Sequence, residues 1–353
     1  MDVEHGPCLP DRADTAARGA RGAGGWCAGA VLLSLLDRSR TRTGRDDADA
    51  LRATLRRAVH AERLGLHRFW VAEHHAVPGA VGSAPTVLMA AVAAATARIR
   101  VGAAGVMLPN HVPFVVAEQL ATLSALHPGR VDVGVGRSLG FTAPVRRALG
   151  ASSAEDFEDR LAELLDWLHG RGPLTLRPSA PAPPVWLLAT GNGLGTAARF
   201  GLPVVVAGPL LAEPAPLARY RAESPPGRAR VTASLDVLVA DSAAQARREL
   251  LPQAVALART RSRGEFPPLP SPAEAASAQL SARELADVET TLASAVLGDE
   301  AEVAQRLADL VDRTGAVELM VATTLHDEAA EAEADTRLAR LVARLGGGLR
   351  TAG

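Results

Sequence analysis

The chain contains no lysine, so all 38 of its basic residues are arginines, and Ile99 is its only isoleucine. We interpret this skew as the codon bias of a GC-rich genome. Because isoleucine marks many β-strands, the strands have to be found from runs of valine and leucine. No apolar run reaches about 18 residues, which excludes a transmembrane helix. A net charge of −1 argues against recruitment of nucleic acid or an anionic membrane.

Cysteine is also scarce. Cys8 and Cys27 form neither a metal-binding spacing nor a disulfide framework, so we expect a reducing, cytoplasmic environment. Residues 1–28 lack the apolar stretch of a secretory signal. They are expected to be a disordered tail, or the result of a start codon placed too early, ahead of a domain over 29–350. Six Phe, four Trp and one Tyr predict an aliphatic binding pocket.

From about residue 30, short valine and leucine runs alternate with longer amphipathic stretches. The runs are mostly apolar throughout, which is typical of parallel strands buried on both faces. The predicted strands cover 31–36, 67–72, 99–106, 131–136, 185–189, 203–207, 231–240 and 317–322. The predicted helices cover 46–64, 83–97, 113–126, 154–168, 194–200, 242–258, 299–314 and 327–344.

Eight strands that alternate with helices fit either a closed barrel or an open doubly wound sheet. An open sheet often carries a glycine-rich phosphate loop after its first strand, but residues 37–40 read Asp-Arg-Ser-Arg. Polar residues instead follow many different strands, as they do at the active face of a barrel. The sequence therefore predicts an α/β protein with a (β/α)8 TIM barrel.

Two segments are predicted to be insertions at the C-terminal face of this barrel. Residues 209–230 are rich in proline, and residues 259–285 contain arginine-rich and proline-rich stretches. Long segments of this kind in a compact domain are usually functional or disordered. Because the second follows the seventh strand, it is a possible active-site lid.

One predicted strand end carries Glu73, His74 and His75. A shared metal is disfavoured because neighbouring strand residues point to opposite faces and no further ligand spacing completes a site. A buried structural histidine is the plainer alternative. We expect one catalytic histidine, with the glutamate orienting or supporting it.

The next strand contains small residues from Gly102 to Gly105. Glycine weakens a strand and often marks the close approach of a large group. A flat ring system stacked on the strand would need this space, and tight packing inside the barrel is the alternative explanation.

Two later strand ends suggest an anion site. Arg137 follows a strand and is flanked by glycines, and arginine suits phosphate through two parallel hydrogen bonds. The Thr-Gly-Asn-Gly turn at 190–193 comes between a strand and a helix, where backbone amides can hold phosphate. It lacks the Gly-Lys-Ser/Thr of a P-loop. Together the two stretches predict an anion site at the barrel mouth.

In this order, these stretches resemble the luciferase-like flavin monooxygenases. The similarity rests on Ala-Glu-His-His at 72–75, the run from Arg100 to Pro113, Val-Ala-Glu-Gln at 116–119, and His-Pro-Gly-Arg-Val-Asp-Val-Gly-Val-Gly-Arg at 127–137. It spans about 29–345. The resemblance implies a homodimeric barrel that binds FMN, reduced by a separate NAD(P)H flavin reductase. Oxygen would add to the flavin, and the flavin peroxide would oxygenate a small organic substrate, in secondary metabolism or general oxygenation rather than luminescence.

The resemblance also implies roles for individual residues. His74 would be the catalytic base or stabilise the peroxide, and a cis peptide bond between Ala104 and Gly105 would lie beneath the flavin ring. The flavin and its phosphate would contact Arg137, Leu139, Arg160, Thr190, Gly191 and Gly193. Gly136 replaces a reactive cysteine of bacterial luciferase, and the phosphate loop has fewer hydroxyls than is usual. The phosphate would then depend on backbone amides and Arg137.

Three alternatives stay open. A deazaflavin-dependent oxidoreductase of the same fold would want basic residues at the mouth, and Arg259, Arg261 and Arg263 are candidates. A flavin-binding protein without catalysis is disfavoured by the Glu-His-His stretch. A metal-dependent hydrolase would need bound zinc, and no metal is expected.

Overall fold

The computed structural model describes residues 31–140, 142–150, 153–189, 191–264 and 266–346. The predicted tail, both cysteines and Thr190 lie outside the described residues. Within these ranges, no helix is long and apolar enough to cross a membrane.

Eight parallel strands close into a barrel, and two further strands form a small sheet beside it. In chain order the strands are β1 (Leu32–Asp37), β2 (Arg68–Val71), β3 (Arg100–Met107), β4 (Val131–Gly136), β5 (Val185–Ala189), β6 (Val204–Ala207), β7 (Val231–Leu235), β8 (Val237–Val239), β9 (Val296–Gly298) and β10 (Glu318–Val321). The barrel order is β1-β10-β7-β6-β5-β4-β3-β2, and β8 pairs with β9. The predicted (β/α)8 barrel is confirmed.

Helices cover the outside of this barrel. They are α1 (Asp47–Arg63), α2 (Pro85–Ala95), α3 (Pro113–Leu126), α4 (Ala143–Ala148), α5 (Phe157–Leu168), α6 (Gly193–Phe200), α7 (Pro214–Glu223), α8 (Ala243–Arg263), α9 (Pro272–Ala276), α10 (Ala282–Ser294), α11 (Glu300–Thr314) and α12 (Glu328–Gly346). Local signals place several ends: Asp46 caps α1 by accepting from the amide of Asp49, and Pro113 begins α3.

The strands are buried on both faces, which explains why they are apolar throughout. Outward-facing residues such as Leu33, Val133 and Val204 belong to the main core shared with the helices. A second cluster, which includes Trp70, Trp186 and Met320, fills the barrel interior. The interior is therefore a packed core, and binding chemistry is confined to the ends of the barrel.

Three sequence-based boundaries were wrong. The predicted strand 231–240 is two strands, because the chain leaves the barrel at Asp236 and β8 pairs with β9 instead. Residues 209–230 are not an insertion, since they contain α7, the helix that follows β6. Residues 259–285 are largely helical and contain the end of α8, all of α9 and the start of α10.

A buried ionic cluster lies near the N-terminal end of the barrel interior. Arg68 donates to Asp132 at 2.6 Å and to Glu318 at 2.6 Å. Its guanidinium also lies 4.9 Å from the ring centroid of Trp70 and 4.4 Å from that of Trp186. The ion pairs and the contacts with the two aromatic rings offset the cost of removing the Arg68 guanidinium from water.

Candidate active site

The C-terminal ends of the barrel strands meet at one mouth, and the predicted site residues lie around it. Glu73, His74 and His75 follow β2, and Gly136 and Arg137 stand at the end of β4. Gly193 begins α6 after β5. The fold therefore brings side chains from distant parts of the sequence to one face, as a barrel active site requires.

His74 is enclosed by cationic and aromatic side chains. Its ring centroid lies 5.2 Å from that of Phe266. Burial, followed by the positive charges of Arg38 and Arg40, lowers the pKa of His74 to about 3. The imidazole is therefore neutral near pH 7, and its buried Nδ1 atom has no hydrogen-bond partner among the described residues. Such a group suits a hydrogen bond to a ligand better than the uptake of a proton.

Glu73, the glutamate expected to orient or support a catalytic histidine, is hydrogen-bonded to His75 and His111 rather than to His74. Its Oε1 atom accepts from His75 Nε2 at 2.6 Å and from His111 Nε2 at 2.8 Å, and Oε2 accepts from the amide of Met107 at 2.8 Å. Burial acts to raise the pKa of Glu73, but the hydrogen bonds from His111 and His75 outweigh it and lower the pKa to about 2. The carboxylate thus ties the end of β3 to the loop after β2.

The bond between Ala104 and Gly105 is cis, as predicted. The register between β3 and β4 shifts at this point, between Ala104 and Val106. A Cβ at Gly105 would lie 2.7 Å from the carbonyl oxygen of Gly134 and 2.9 Å from Leu188 Cδ1, so protein atoms explain this glycine.

The glycine at position 102 makes room for protein rather than for a cofactor ring. A Cβ there would lie 2.4 Å from Trp70 Cε3. Tight packing in the barrel interior, the alternative explanation for the small residues, accounts for Gly102.

Arg137 lines a cavity of about 270 Å³ together with Gly193 and Thr196 of α6. Asn192 caps α6 without a side-chain hydrogen bond to its first turn, so the positive end of this helix faces the turn at 191–193. The same cavity also has acidic residues, among which Glu158 is already bound to Arg199 and Thr196. An arginine beside a helix N-terminus fits a phosphate group.

The other predicted phosphate contacts are less closely grouped. Arg160 donates from Nη1 to the carbonyl of His111 at 2.8 Å and does not line the cavity of Arg137. Gly191 adopts the left-handed conformation with φ 52°, which the turn before α6 requires. Leu139 is half-buried beyond β4.

Residues 266–269, here named the strap, belong to the predicted lid and lie beside His74. The amide of Leu269 donates to the carbonyl of Thr41 at 2.9 Å, and the amide of Thr43 donates to the carbonyl of Leu269 at 3.0 Å. Arg40 donates to the carbonyl of Pro267 at 3.2 Å, and its guanidinium carbon lies 4.3 Å from the Phe266 ring centroid. The strap is therefore joined to the loop after β1.

Sequence reasoning missed several residues of this site. Arg38 and Arg40 follow β1. In a chain with so many arginines, two of them separated by one residue do not indicate a functional site. Their positions beside His74 depend on closure of the barrel. His111 lies within the run from Arg100 to Pro113 that carries the resemblance, and its bond to Glu73 joins positions 38 residues apart.

Two of the three basic residues proposed for a deazaflavin tail have acidic partners. Arg261 lies 3.5 Å from Asp287, and Arg263 lies 3.4 Å from Glu284, both acidic residues of α10. These two arginines thus help pack α8 on α10. Within the ranges that the structure describes, no group of three His, Cys, Asp or Glu side chains could hold a metal ion.

The barrel and the side chains at its mouth define a TIM-barrel protein with a candidate active site at its C-terminal face. Comparison with known proteins assigns the family. Residues 31–318 match the family model described as luciferase-like monooxygenase. A luciferase-like monooxygenase of Escherichia coli K12 is 33% identical over 317 residues, which cover 85% of this chain and 93% of that protein. The chain belongs to the luciferase-like monooxygenase family.

Solved structures agree with this assignment. The crystal structure of apo-MsnO8 has 31% identity and a TM-score of 0.77, covering 88% of this chain and 98% of that one. The oxygenating constituent of 3,6-diketocamphane monooxygenase from Pseudomonas putida, in complex with FMN, has 18% identity and a TM-score of 0.67, covering 89% and 98%. An F420-dependent secondary alcohol dehydrogenase has 16% identity and a TM-score of 0.63, covering 88% and 99%. The last two support the fold alone.

Proposed function

We propose that this protein is an FMN-dependent monooxygenase that uses reduced FMN and O2 to oxygenate a small organic substrate. The observation that carries the proposal is the neutral imidazole of His74 at the mouth of a luciferase-like barrel, because its buried Nδ1 atom has no hydrogen-bond partner in the described part of the chain. A buried polar atom without a partner costs stability, so it fits a group that a ligand satisfies.

In this proposal the bound flavin supplies the oxygen-activating chemistry, and the chain positions it. Arg137 and the backbone at Gly191 and Gly193 would hold the phosphate, while Ala104 and Gly105 would lie against the ring. His74 would give a hydrogen bond to the reacting oxygen. The strap would limit the access of water to this side of the mouth.

The partners are proposals of the same kind. A separate flavin reductase would supply reduced FMN, in the cytoplasm, and two copies of the chain would form a homodimer. The exposed apolar residues Val87 on α2 and Val115 on α3 support the homodimer.

Titration of the purified protein with reduced FMN tests the proposal directly. We expect saturable binding, with Arg137→Gln weakening it about tenfold because a charge-assisted pair is lost. Arg98→Gln, an exposed arginine just before the N-terminal end of β3, is the matched control and should bind as the wild type does. Bound reduced FMN should also be reoxidised by O2 at a rate that His74→Asn changes. Absence of FMN binding would overturn the proposal.

A deazaflavin-dependent oxidoreductase is the second candidate, because a structural neighbour of the same fold is F420-dependent. Arg261 and Arg263, two of the three arginines that we assigned to its acidic tail, form ion pairs with α10, whereas Arg259 forms none among the described residues. A parallel titration with F420 separates the two candidates, and tighter binding of F420 than of FMN would favour the second.

A further inference from the structure

A cavity of about 520 Å³ opens at the C-terminal face on the side of β6 and β7. It reaches from Ala207 and Leu235, at the ends of these two strands, to α11. Apolar side chains form part of its wall, among them Leu211, Val296 and Leu310. The cavity is therefore large enough and apolar enough for a small aliphatic molecule.

Two charged residues of this wall, Arg38 and Asp236, are half-buried. Arg38 uses Nη1 to donate to the carbonyl of Ala322 at 2.9 Å. The buried Oδ1 atom of Asp236 has no hydrogen-bond partner. Across the described ranges, neither residue takes part in an ion pair with the other or with any third residue. A guanidinium and a carboxylate thus line one cavity without neutralising each other.

The remaining charged residues of the wall, Arg306, Asp309 and Arg313, also have no ion pair among the described residues, but they are exposed to solvent. Arg306 donates to the carbonyls of Leu297 and Ala295, and Arg313 donates to the carbonyl of Leu211 at 2.9 Å. Asp309 accepts from Gln305 at 2.8 Å. Because Arg38 and Asp236 are half-buried whereas the other charges of the wall are exposed, these two residues would gain most from a ligand with an opposite or complementary group.

We propose that this cavity binds a small aliphatic carboxylic acid that also carries an N–H donor, with the carboxylate on Arg38 and the N–H on Asp236. N-acylated aliphatic amino acids have this pattern. The carboxylate would gain a charge-assisted hydrogen bond, and the buried Asp236 oxygen would gain the donor that it lacks. The apolar wall would contact the aliphatic side chain.

Arg38 connects this cavity to the candidate active site. Its charge is one of those that act on the His74 imidazole, so a ligand held at Arg38 lies near the proposed oxygenating centre. That the ligand is the substrate rests on the proposed function, whereas its binding does not.

Three probes separate the two contacts: N-acetyl-L-leucine has the carboxylate and the N–H, its methyl ester has the N–H alone, and 4-methylpentanoate has the carboxylate alone. Calorimetric titration of the full chain should show binding of N-acetyl-L-leucine, at least about tenfold weaker binding of the ester, and intermediate binding of 4-methylpentanoate. Equal affinity for the acid and its ester, or no binding of the acid, would overturn the proposal.

Variants assign the contacts. Arg38→Gln should weaken the binding of N-acetyl-L-leucine about tenfold, and Arg38→Lys should retain most of the affinity for this acid. Asp236→Ala, which has no side-chain acceptor, should remove the preference for N-acetyl-L-leucine over 4-methylpentanoate, and Arg313→Gln is the matched control within the same wall. If Arg38→Gln and Arg313→Gln reduce the affinity for the acid equally, the assignment of the carboxylate to Arg38 is contradicted. Titration of the same samples with FMN shows whether the flavin proposal stands independently of this result.

Discussion

At the scale of single residues, His74 and Glu73 are adjacent in sequence, but their surroundings differ and give them different protonation states and roles. His74 is surrounded by Arg38, Arg40 and the ring of Phe266, which keep its imidazole neutral. Glu73 is kept ionised by hydrogen bonds from two other histidines. The first residue has a buried Nδ1 atom without a hydrogen-bond partner among the described residues, and the second is a positioning residue that holds the backbone around it.

The low pKa of His74 predicts a stability that depends on pH. Its pKa is about 3 in the folded chain and 6.5 in an unfolded one, so unfolding takes up a proton between these values, and stability falls as the pH drops below 6.5. Between pH 7.5 and 5 this group should contribute a loss on the order of 1–2 kcal/mol, discounted for its partial exposure. Urea unfolding should show a smaller acid-induced loss in His74→Asn; equal losses would contradict the low pKa.

Glu73→Gln should destabilise the protein by about 1–3 kcal/mol, because an amide replaces a charged acceptor of three hydrogen bonds. The NH2 group of the glutamine would face either the Met107 amide or the two histidines, which would lose their acceptor. Urea unfolding near pH 7 measures this loss. Glu118→Gln on α3 is the control and should stay within about 0.5 kcal/mol of the wild type. A Glu73→Gln variant as stable as that control would show that the carboxylate is not a structural anchor.

Among the elements, the strap depends on a close backbone contact as well as on hydrogen bonds. A Cβ at Gly79 would lie 2.1 Å from the carbonyl oxygen of Pro267 and 2.5 Å from that of Phe266. Only a glycine therefore permits the loop after β2 to approach the strap this closely.

Gly79→Ala should displace the strap without removing any of its side chains. Hydrogen exchange at the Leu269 amide, which is bonded to Thr41, should become faster, while exchange in the barrel strands stays slow. Gly136→Ala is the control, since its Cβ would lie 3.9 Å from the nearest atom, in Leu188. Unchanged exchange at Leu269 in Gly79→Ala would contradict the role of this contact.

At the scale of the whole molecule, the apolar residues on α2 and α3 bear on assembly. Val87 is 68% exposed, Val115 is 44% exposed, and Val112 beside the start of α3 is 59% exposed. Thr86 donates to Gln119 at 3.0 Å and joins the two helices. An apolar surface of this kind on neighbouring helices is typical of a homodimer interface.

If this surface forms the homodimer, Val87→Glu combined with Val115→Glu should shift the protein towards monomer, because each change buries a charge in the interface. Sedimentation velocity measures the oligomeric state. Leu174→Glu combined with Leu285→Glu, at exposed positions elsewhere, is the matched control and should leave it unchanged. A wild-type protein that sediments as a monomer would contradict the proposed homodimer.

The sequence by itself determined the barrel and the location of its active face. Strands such as 185–189 are apolar on both faces, and helix signals such as Pro113 act over a few residues, so both are visible locally. The same holds for the strand ends at His74 and Arg137, which follow from the alternation of elements. The cis bond at Ala104 was predicted only through the family resemblance.

Tertiary structure decided which of these residues meet. Glu73 binds His111 rather than His74, Gly102 accommodates Trp70, and the chain leaves the barrel at Asp236. Each outcome depends on contacts between strands that are distant in sequence, and local propensity carries no information about them. For the same reason, only the closed barrel places Arg38 beside His74 and in the same cavity wall as Asp236.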